Sequence, residues 1–306
     1  MARAVRFDRY GNRGVLYIAE VPVPEPSAGE VVVRVRAAGI NPGEVAIRTG
    51  AVHDRFPATF PSGQGSDLAG IVTAVGAGVG GFAVVDEVLG WSWRRSSHAD
   101  YVVVPATQLI AKPPQLSWEV AGALYIVACT AYAAVRAVGA GPGDTVAVSA
   151  AAGGVGSVVV QLLQIKGATV LGIASEANHG WLAAHGVIPL SYGDDLAGRV
   201  KAAAPAGVDA FIDLAGPDYV QFAVDVGVAP DRIDTVIARE KAREVGAKVE
   251  GSVDASDTRI LSEMAELVAS HQIEIPVAAT YPLDKVRDAY AELEQHHTHG
   301  KIVLIP

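Results

Sequence analysis

A single cysteine, Cys129, in 306 residues excludes an internal disulfide and any metal site built on several thiolates. Aromatic residues are scarce, at 6%, and only 19% of the chain is charged. Half of the residues are hydrophobic and 33 are glycine, so an interior filled with aliphatic side chains and many tight turns is expected. No apolar run is long enough for a membrane span, because Gly, Pro or charge interrupts each one. The opening residues, Met1 to Asp8, lack the apolar core of a signal peptide, which makes the cytoplasm the expected compartment. Cations are outnumbered, with Lys+Arg 24 against Asp+Glu 33 and a formal net charge of −9. That balance argues against a nucleic-acid partner, and no membrane partner is expected.

The length suits two domains better than one core. The first third is rich in short β-branched runs, and residues 31–38, 71–75, 84–89 and 101–104 read as strands bounded by Gly or Pro. Their spacing predicts a compact barrel or sandwich. From about Ser117 the pattern changes. One long Ala-rich helix is expected over 118–137, then a glycine-rich turn and an apolar strand at 145–149. Helices at 155–166 and 178–185 alternate with strands at 169–174, 208–213 and 232–238, which is the order of a parallel, doubly wound sheet. A helix over 283–295 and a last strand at 301–305 follow. The expected division is therefore 1–117, 118–258 and 259–306, with the middle segment inserted into a β-rich domain that the last segment completes.

The sharpest local signal lies at Val146 to Gly156, where an apolar strand runs into Ala150, Ala151 and Ala152, then Gly153, Gly154, Val155 and Gly156, and then a helix. Glycines there let a backbone approach a pyrophosphate, and the helix N-terminus offers free amides to it. Strand, turn, helix and next strand occur in the order a dinucleotide site requires, although a ligand-free βα turn has the same outline. An NAD site usually has a carboxylate at the end of the next strand. Here Ala174 takes that position and Ser175 follows, leaving room for the 2′-phosphate of NADPH. Ser175, Asn178, His179 and Tyr192 are the expected donors to it, while Glu176 keeps an NAD reading open.

The segments Ala38 to Glu44, Arg48 to Gly50, Pro61 to Gly70, Thr130 to Tyr132, the glycine turn and Gly300 to Leu304 together resemble the medium-chain dehydrogenase/reductase superfamily, in its quinone oxidoreductase branch. The resemblance covers essentially the whole chain. It implies a Rossmann domain inserted in a GroES-like catalytic domain, a cleft between them, and a homodimer formed by pairing edge strands of the Rossmann sheets. The zinc-dependent members hold catalytic zinc with Cys, His and Cys. This chain has Asn41, Ser66 and Ile126 at those places, none of them a thiolate or imidazole, so zinc-independent chemistry is expected.

The resemblance also implies roles for single residues. Asn41 would face the nicotinamide and donate to a substrate oxygen, or else is a turn residue before Pro42. Glu44 stands where the family usually has Asp, as a catalytic carboxylate or a helix N-terminal charge. His53 is a candidate proton donor, or a surface-loop histidine. Ala152, Gly153, Gly154 and Val155 would line the pyrophosphate, with Thr130 and Ala215 also at the cofactor. Without zinc, hydride transfer from NADPH suits a conjugated carbonyl such as a quinone or enone, which spreads the negative charge onto a distant oxygen. A 2-enoyl-thioester reductase is the alternative enzyme, and a non-catalytic nicotinamide-binding sensor or crystallin-like protein the alternative of another class.

Overall fold

In the computed structural model, which describes residues 1–306, the β-branched runs of the first third do pair as short antiparallel strands. In chain order they are β1 (Ala2–Phe7), β2 (Tyr17–Val21), β3 (Glu30–Gly39), then α1 (Pro42–Thr49), β4 (Ser62–Gly63), β5 (Asp67–Val75), β6 (Glu87–Trp91), β7 (Tyr101–Pro105) and β8 (Leu109–Ala111). Helix α2 (Trp118–Gly122) follows, and α3 (Leu124–Val138) leads to a run of alternating elements. These are β9 (Thr145–Val148), α4 (Gly154–Ile165), β10 (Thr169–Ala174), α5 (His179–Ala184), β11 (Ile188–Ser191), α6 (Leu196–Ala203), β12 (Ala210–Asp213), α7 (Pro217–Asp225), β13 (Ile233–Thr235) and α8 (Arg239–Val245). The chain closes with α9 (Thr258–Ala269), β14 (Val277–Pro282), α10 (Val286–Leu293) and β15 (Lys301–Ile305).

Two compact units result. The first contains Met1–Ile126, Asp257–Ala269 and Pro276–Pro306. Its larger sheet runs β14-β15-β3-β5-β6-β8, with β7 also paired to β3, and a three-stranded sheet runs β2-β1-β4. The last strand joins the first flank directly: β15 lies antiparallel to β3, with Val303 opposite Gly39 and Leu304 opposite Ala38. Strand β3 alternates little, because both of its faces are covered for most of its length. Val31, Val33 and Val35 pack with Leu68, Val72, Val88, Val102 and Val104 in an aliphatic core.

The second unit contains Val127–Ser256 and Ser270–Ile275. Its sheet is wholly parallel in the order β11-β10-β9-β12-β13. The chain winds outward from β9 to β11, then crosses back to β12, so the strand order reverses between β9 and β12. Ligands of open parallel sheets bind outside the carboxyl ends of the strands at such a reversal. The glycine turn that follows β9 lies there.

Some expected elements are shorter than their pattern. The long helix breaks between α2 and α3 at Ala123, whose amide bonds back to the Val120 carbonyl (3.2 Å), and Gly122 before it abuts β3: a Cβ there would lie 2.4 Å from the Ala37 carbonyl oxygen. The strand expected at 84–89 begins only at Glu87, since Ala83 to Asp86 form a turn closed by the Ala83 amide donating to Asp86 Oδ2 (2.7 Å). Within that turn Val85 takes φ +77°. The strand expected at 232–238 shrinks to β13 because the Thr235 hydroxyl accepts from the Ile237 and Ala238 amides and turns the chain. Strand β12 likewise starts at Ala210 rather than at Val208.

Strand β13 lies at the sheet edge, where Asp234 meets Lys248 in an isolated parallel bridge. Its side chain is buried, Oδ1 accepts the Glu250 amide (2.8 Å) and Oδ2 has no partner. Burial therefore pushes the carboxyl up from its ordinary 3.8 to about 7.

Two outcomes are expected. A β-branched residue at positive φ is strained, so Val85→Gly should stabilise the protein by on the order of 1 kcal/mol in urea denaturation; unchanged or lower stability would refute this. The folded protein holds the Asp234 proton up to about pH 7, whereas the unfolded chain releases it near 3.8. Its contribution to stability is full below that lower value and is lost as pH rises towards 7. Asp234→Asn should raise the melting temperature at pH 8 and flatten its decline between pH 4 and 7; parallel wild-type and variant profiles would argue against it.

Candidate functional site

In the second unit, the turn after β9 is shaped for an anion. Ala150 takes φ +48°, and Gly153 caps α4 with extended backbone and no side-chain cap. The first-turn amides of α4, including those of Gly154 and Val155, thus meet no capping side chain at a helix N-terminus. A Cβ at Gly156 would lie 2.2 Å from the Ala150 carbonyl oxygen and 2.8 Å from the Ala151 carbonyl carbon. Gly156 is needed for the turn to fold onto its own backbone. Ala151 and Ala152 are buried behind it.

The end of β10 carries the residues expected to choose the cofactor. Ala174 is buried and pairs with Ser191 of β11. Asn178 Nδ2 donates to Ser175 Oγ at 3.0 Å, and His179 Nε2 lies 3.4 Å from the Ala174 carbonyl oxygen. The Ser191 hydroxyl donates to Glu176 Oε1 at 3.4 Å, which draws that carboxylate towards β11. Tyr192 is 53% exposed on the next loop. Sequence reading missed Arg199, whose guanidinium donates to the carbonyls of Ser191 (3.0 Å), Asp194 (2.7 Å) and Gly193 (3.3 Å) and so shapes the loop that presents Tyr192. Nothing in the pattern of α6 distinguishes it from Lys201, the other cation of that helix.

Asp213, at the end of β12, was missed too. Its Oδ1 accepts from Ser149 Oγ (2.8 Å), the Ala215 amide (2.9 Å) and the Gly216 amide (3.0 Å), and its Oδ2 accepts from Thr235 Oγ1 (2.6 Å). The Leu214 amide donates to Ser149 Oγ at 2.8 Å. This buried hub fixes the loops after β9, β12 and β13. The Ala215 amide is consumed within it. Thr130 is buried on α3, as is Cys129.

In the first unit, a buried polar cluster gathers around Asn41. Lys301 Nζ donates to the Ile40 carbonyl (3.1 Å), Asp67 Oδ2 (3.2 Å) and Asn41 Oδ1. Asn41 Nδ2 in turn donates to Asp67 Oδ2 (3.1 Å) and Glu44 Oε1 (3.3 Å), which uses both of its protons. Glu44 accepts from the amides of Asn41 (3.0 Å) and Ser66 (2.8 Å) and from the Tyr290 hydroxyl (2.7 Å). Gln64 Nε2 reaches the Tyr290 hydroxyl at 3.1 Å, and His98 Nε2 lies 3.1 Å from the Gly39 carbonyl oxygen and 3.9 Å from Glu44 Oε2. The Ile126 amide donates to Asp67 Oδ1 at 2.8 Å.

Burial raises the Asp67 carboxyl, against the pull of the Lys301 ammonium, and it holds the Tyr290 hydroxyl well above its ordinary value, with the Glu44 carboxylate adding to the effect. Asn41 and Glu44 thus act as a helix start locked to its surroundings. The expectation that the Asn41 amide donates to a substrate meets protons already engaged. His53 stands apart from the cluster, 62% exposed, with Nε2 2.8 Å from Asp54 Oδ1 and Nδ1 3.1 Å from the Gly50 carbonyl oxygen. Asp67 and Lys301 were visible only as letters within the family-like segments, because nothing local shows that they meet.

A parallel sheet with an anion-ready glycine turn, in one chain with a β-rich unit completed by the last strand, defines a two-domain dehydrogenase architecture. The family model described as Alcohol dehydrogenase GroES-like domain matches residues 27–114, and that described as Zinc-binding dehydrogenase matches residues 182–304. The chain is 31% identical over 319 residues to the synaptic vesicle membrane protein VAT-1 homolog of Mus musculus, covering 92% of this chain and 78% of that protein. Among solved structures, the quinone oxidoreductase from Coxiella burnetii is 28% identical with a TM-score of 0.90, covering 100% of this chain and 99% of that one. The Escherichia coli quinone oxidoreductase complexed with NADPH is 25% identical with a TM-score of 0.88, covering 100% of both chains. An NAD-dependent alcohol dehydrogenase is 29% identical with a TM-score of 0.88, covering 99% of each. The chain belongs to the medium-chain dehydrogenase/reductase superfamily, in its quinone oxidoreductase branch.

A buried carboxylate that loses its cation is costly, so Lys301→Met should destabilise the protein by about 3–5 kcal/mol. Adding Asp67→Asn should recover a large part of that loss. Strictly additive effects in a urea double-mutant cycle would show that the pair is not coupled.

Proposed function

We propose that the protein transfers hydride from NADPH to a conjugated carbonyl compound, a quinone or enone, without zinc. The observation that carries the acceptor class is the closed hydrogen bonding of the Asn41 cluster. At the three positions where zinc-dependent relatives hold their metal stand an amide, a hydroxyl and an aliphatic side chain, and the Asn41 carbonyl oxygen already accepts from the Lys301 ammonium. No three His, Cys, Asp or Glu side chains are gathered as a metal would require. With neither a Lewis acid nor a spare Asn41 proton to hold a localised alkoxide, an acceptor that disperses its own charge fits better than a simple ketone.

The nicotinamide supplies the hydride when bound. The first-turn amides at Gly154 and Val155, with Ala152 and Gly153, would receive the pyrophosphate, and Thr130 and Ala215 lie on elements that would flank the nicotinamide. Ser175, Asn178, His179 and Tyr192 would donate to the 2′-phosphate. The absence of a carboxylate at Ala174 removes the charge that would repel it, and Glu176 is held towards Ser191. A homodimer paired through Rossmann edge strands completes the proposal, with sedimentation velocity at micromolar concentration as its check.

Oxidation of NADPH and NADH with quinones, enones and enoyl thioesters, with and without a chelator, tests this reading. NADPH is expected to bind at least tenfold more tightly than NADH, about 1.4 kcal/mol, and chelation should leave turnover unchanged. Ala174→Asp should shift preference towards NADH. Equal use of NADH by the wild type would refute the cofactor assignment, and turnover abolished by the chelator would refute the zinc-free chemistry.

A further inference from the structure

An aromatic stack lies beside the polar cluster in an otherwise aromatic-poor chain. Trp91 and Tyr125 are nearly parallel, with centroids 4.8 Å apart and an interplanar angle of 12°. Trp93 meets the same tyrosine edge-on, at 6.3 Å and 87°. Trp91 is buried, whereas Trp93 is 46% exposed. The Trp91 indole N–H has no acceptor, although buried tryptophans usually find one, which sets this stack apart from ordinary core packing.

Backbone bonds tie the stack to the cluster on several sides. Trp91 lies directly opposite Asp67 in the β5–β6 pairing, so the two side chains share one face of the sheet. Tyr125 precedes Ile126, whose amide donates to Asp67. The Ser92 amide donates to the Ser66 carbonyl (2.9 Å), and the Ser97 and His98 amides donate to those of Gly65 (3.2 Å) and Gln64 (3.0 Å). The Trp93 amide donates to Gln108 Oε1 at 3.3 Å, and Arg95 Nη2 reaches the Pro57 carbonyl at 2.8 Å. A large apolar ring is thus left half exposed on a loop that is itself well anchored. Preorganised aromatic surface of this kind binds flat rings at little entropic cost.

We infer that Trp93, backed by Tyr125 and Trp91, is a stacking platform for the planar fused ring of the acceptor, which makes it a specificity-determining residue for bicyclic aromatic quinones over open-chain enones. The assignment rests on the reading of the protein as a quinone or enone reductase. Offset or edge contacts between rings would supply the preference, and an open-chain enone offers no ring to stack.

Steady-state kinetics with NADPH, 2-methyl-1,4-naphthoquinone and 3-penten-2-one test it on wild type, Trp93→Ala and Trp93→Phe. Trp93→Ala should raise KM for the naphthoquinone roughly tenfold, equivalent to about 1.4 kcal/mol, and KM for the enone by less than about threefold. Trp93→Phe should restore most of the naphthoquinone affinity. A merely structural role would move both substrates together, so equal shifts, or no shift, overturn the inference. If the wild type turns over neither substrate, the functional reading fails by itself. The platform is then judged by calorimetric titration of the naphthoquinone: binding that Trp93→Ala weakens supports it, and binding that is absent or unaltered overturns it. Weakened self-association of Trp93→Ala in sedimentation, with unchanged naphthoquinone affinity, would mean that the ring serves an interface between copies, and would also overturn it.

Discussion

The Lys301 ammonium is the constraint on which the first unit depends. It is buried and donates to three acceptors, the Ile40 carbonyl, Asn41 Oδ1 and Asp67 Oδ2. An ammonium withdrawn from water is tolerable only with such partners, and they in turn need it. Because Lys301 opens the last strand, the pairing of β15 with β3 and the satisfaction of this charge must occur together. From there the network spreads. Asp67 holds the start of α3 through Ile126, and Glu44 holds the loop at Ser66 and helix α10 through Tyr290.

Three buried aspartates differ in the donors that surround them. Asp213 accepts four hydrogen bonds from two hydroxyls and two amides, which compensate its burial without a cation. Asp67 accepts from an amide nitrogen of the backbone and from Asn41 and Lys301, yet burial still raises its carboxyl. Asp234 accepts from the Glu250 amide through one oxygen and has no donor to the other, so it retains its proton up to about pH 7. Asp213 anchors the loops at the carboxyl ends of β9, β12 and β13.

The aromatic stack and the glycine turn share one design feature. Each sets its exposed groups on a segment held in place by its surroundings, so little freedom remains to be lost when a ligand arrives. At the turn, Gly156 permits the close fold on Ala150 that leaves the α4 amides uncapped. At the stack, the loop from Ser92 to His98 is sewn to residues 64–66, and the exposed ring of Trp93 rides on it.

The parallel sheet and its glycine turn were legible in the chain because they are local. A buried strand, a small-residue turn and an amphipathic helix each have a period or composition of their own, and their order defines a βαβ unit. The return of the last strand to the first flank was legible through the resemblance and the late β-branched run. Strand lengths were not, because Thr235 and Val85 change the chain's course through hydrogen bonds and turns that hydrophobic pattern does not encode. The polar cluster was only half legible. Asn41 and Glu44 could be singled out by position, but Lys301 lies 260 residues from Asn41 and 234 from Asp67, and only the closed sheet shows that they meet. Local backbone preference thus determined the sheet and the cradle. The partners of each buried charge were decided by tertiary structure, because desolvation is priced only once the groups share an interior.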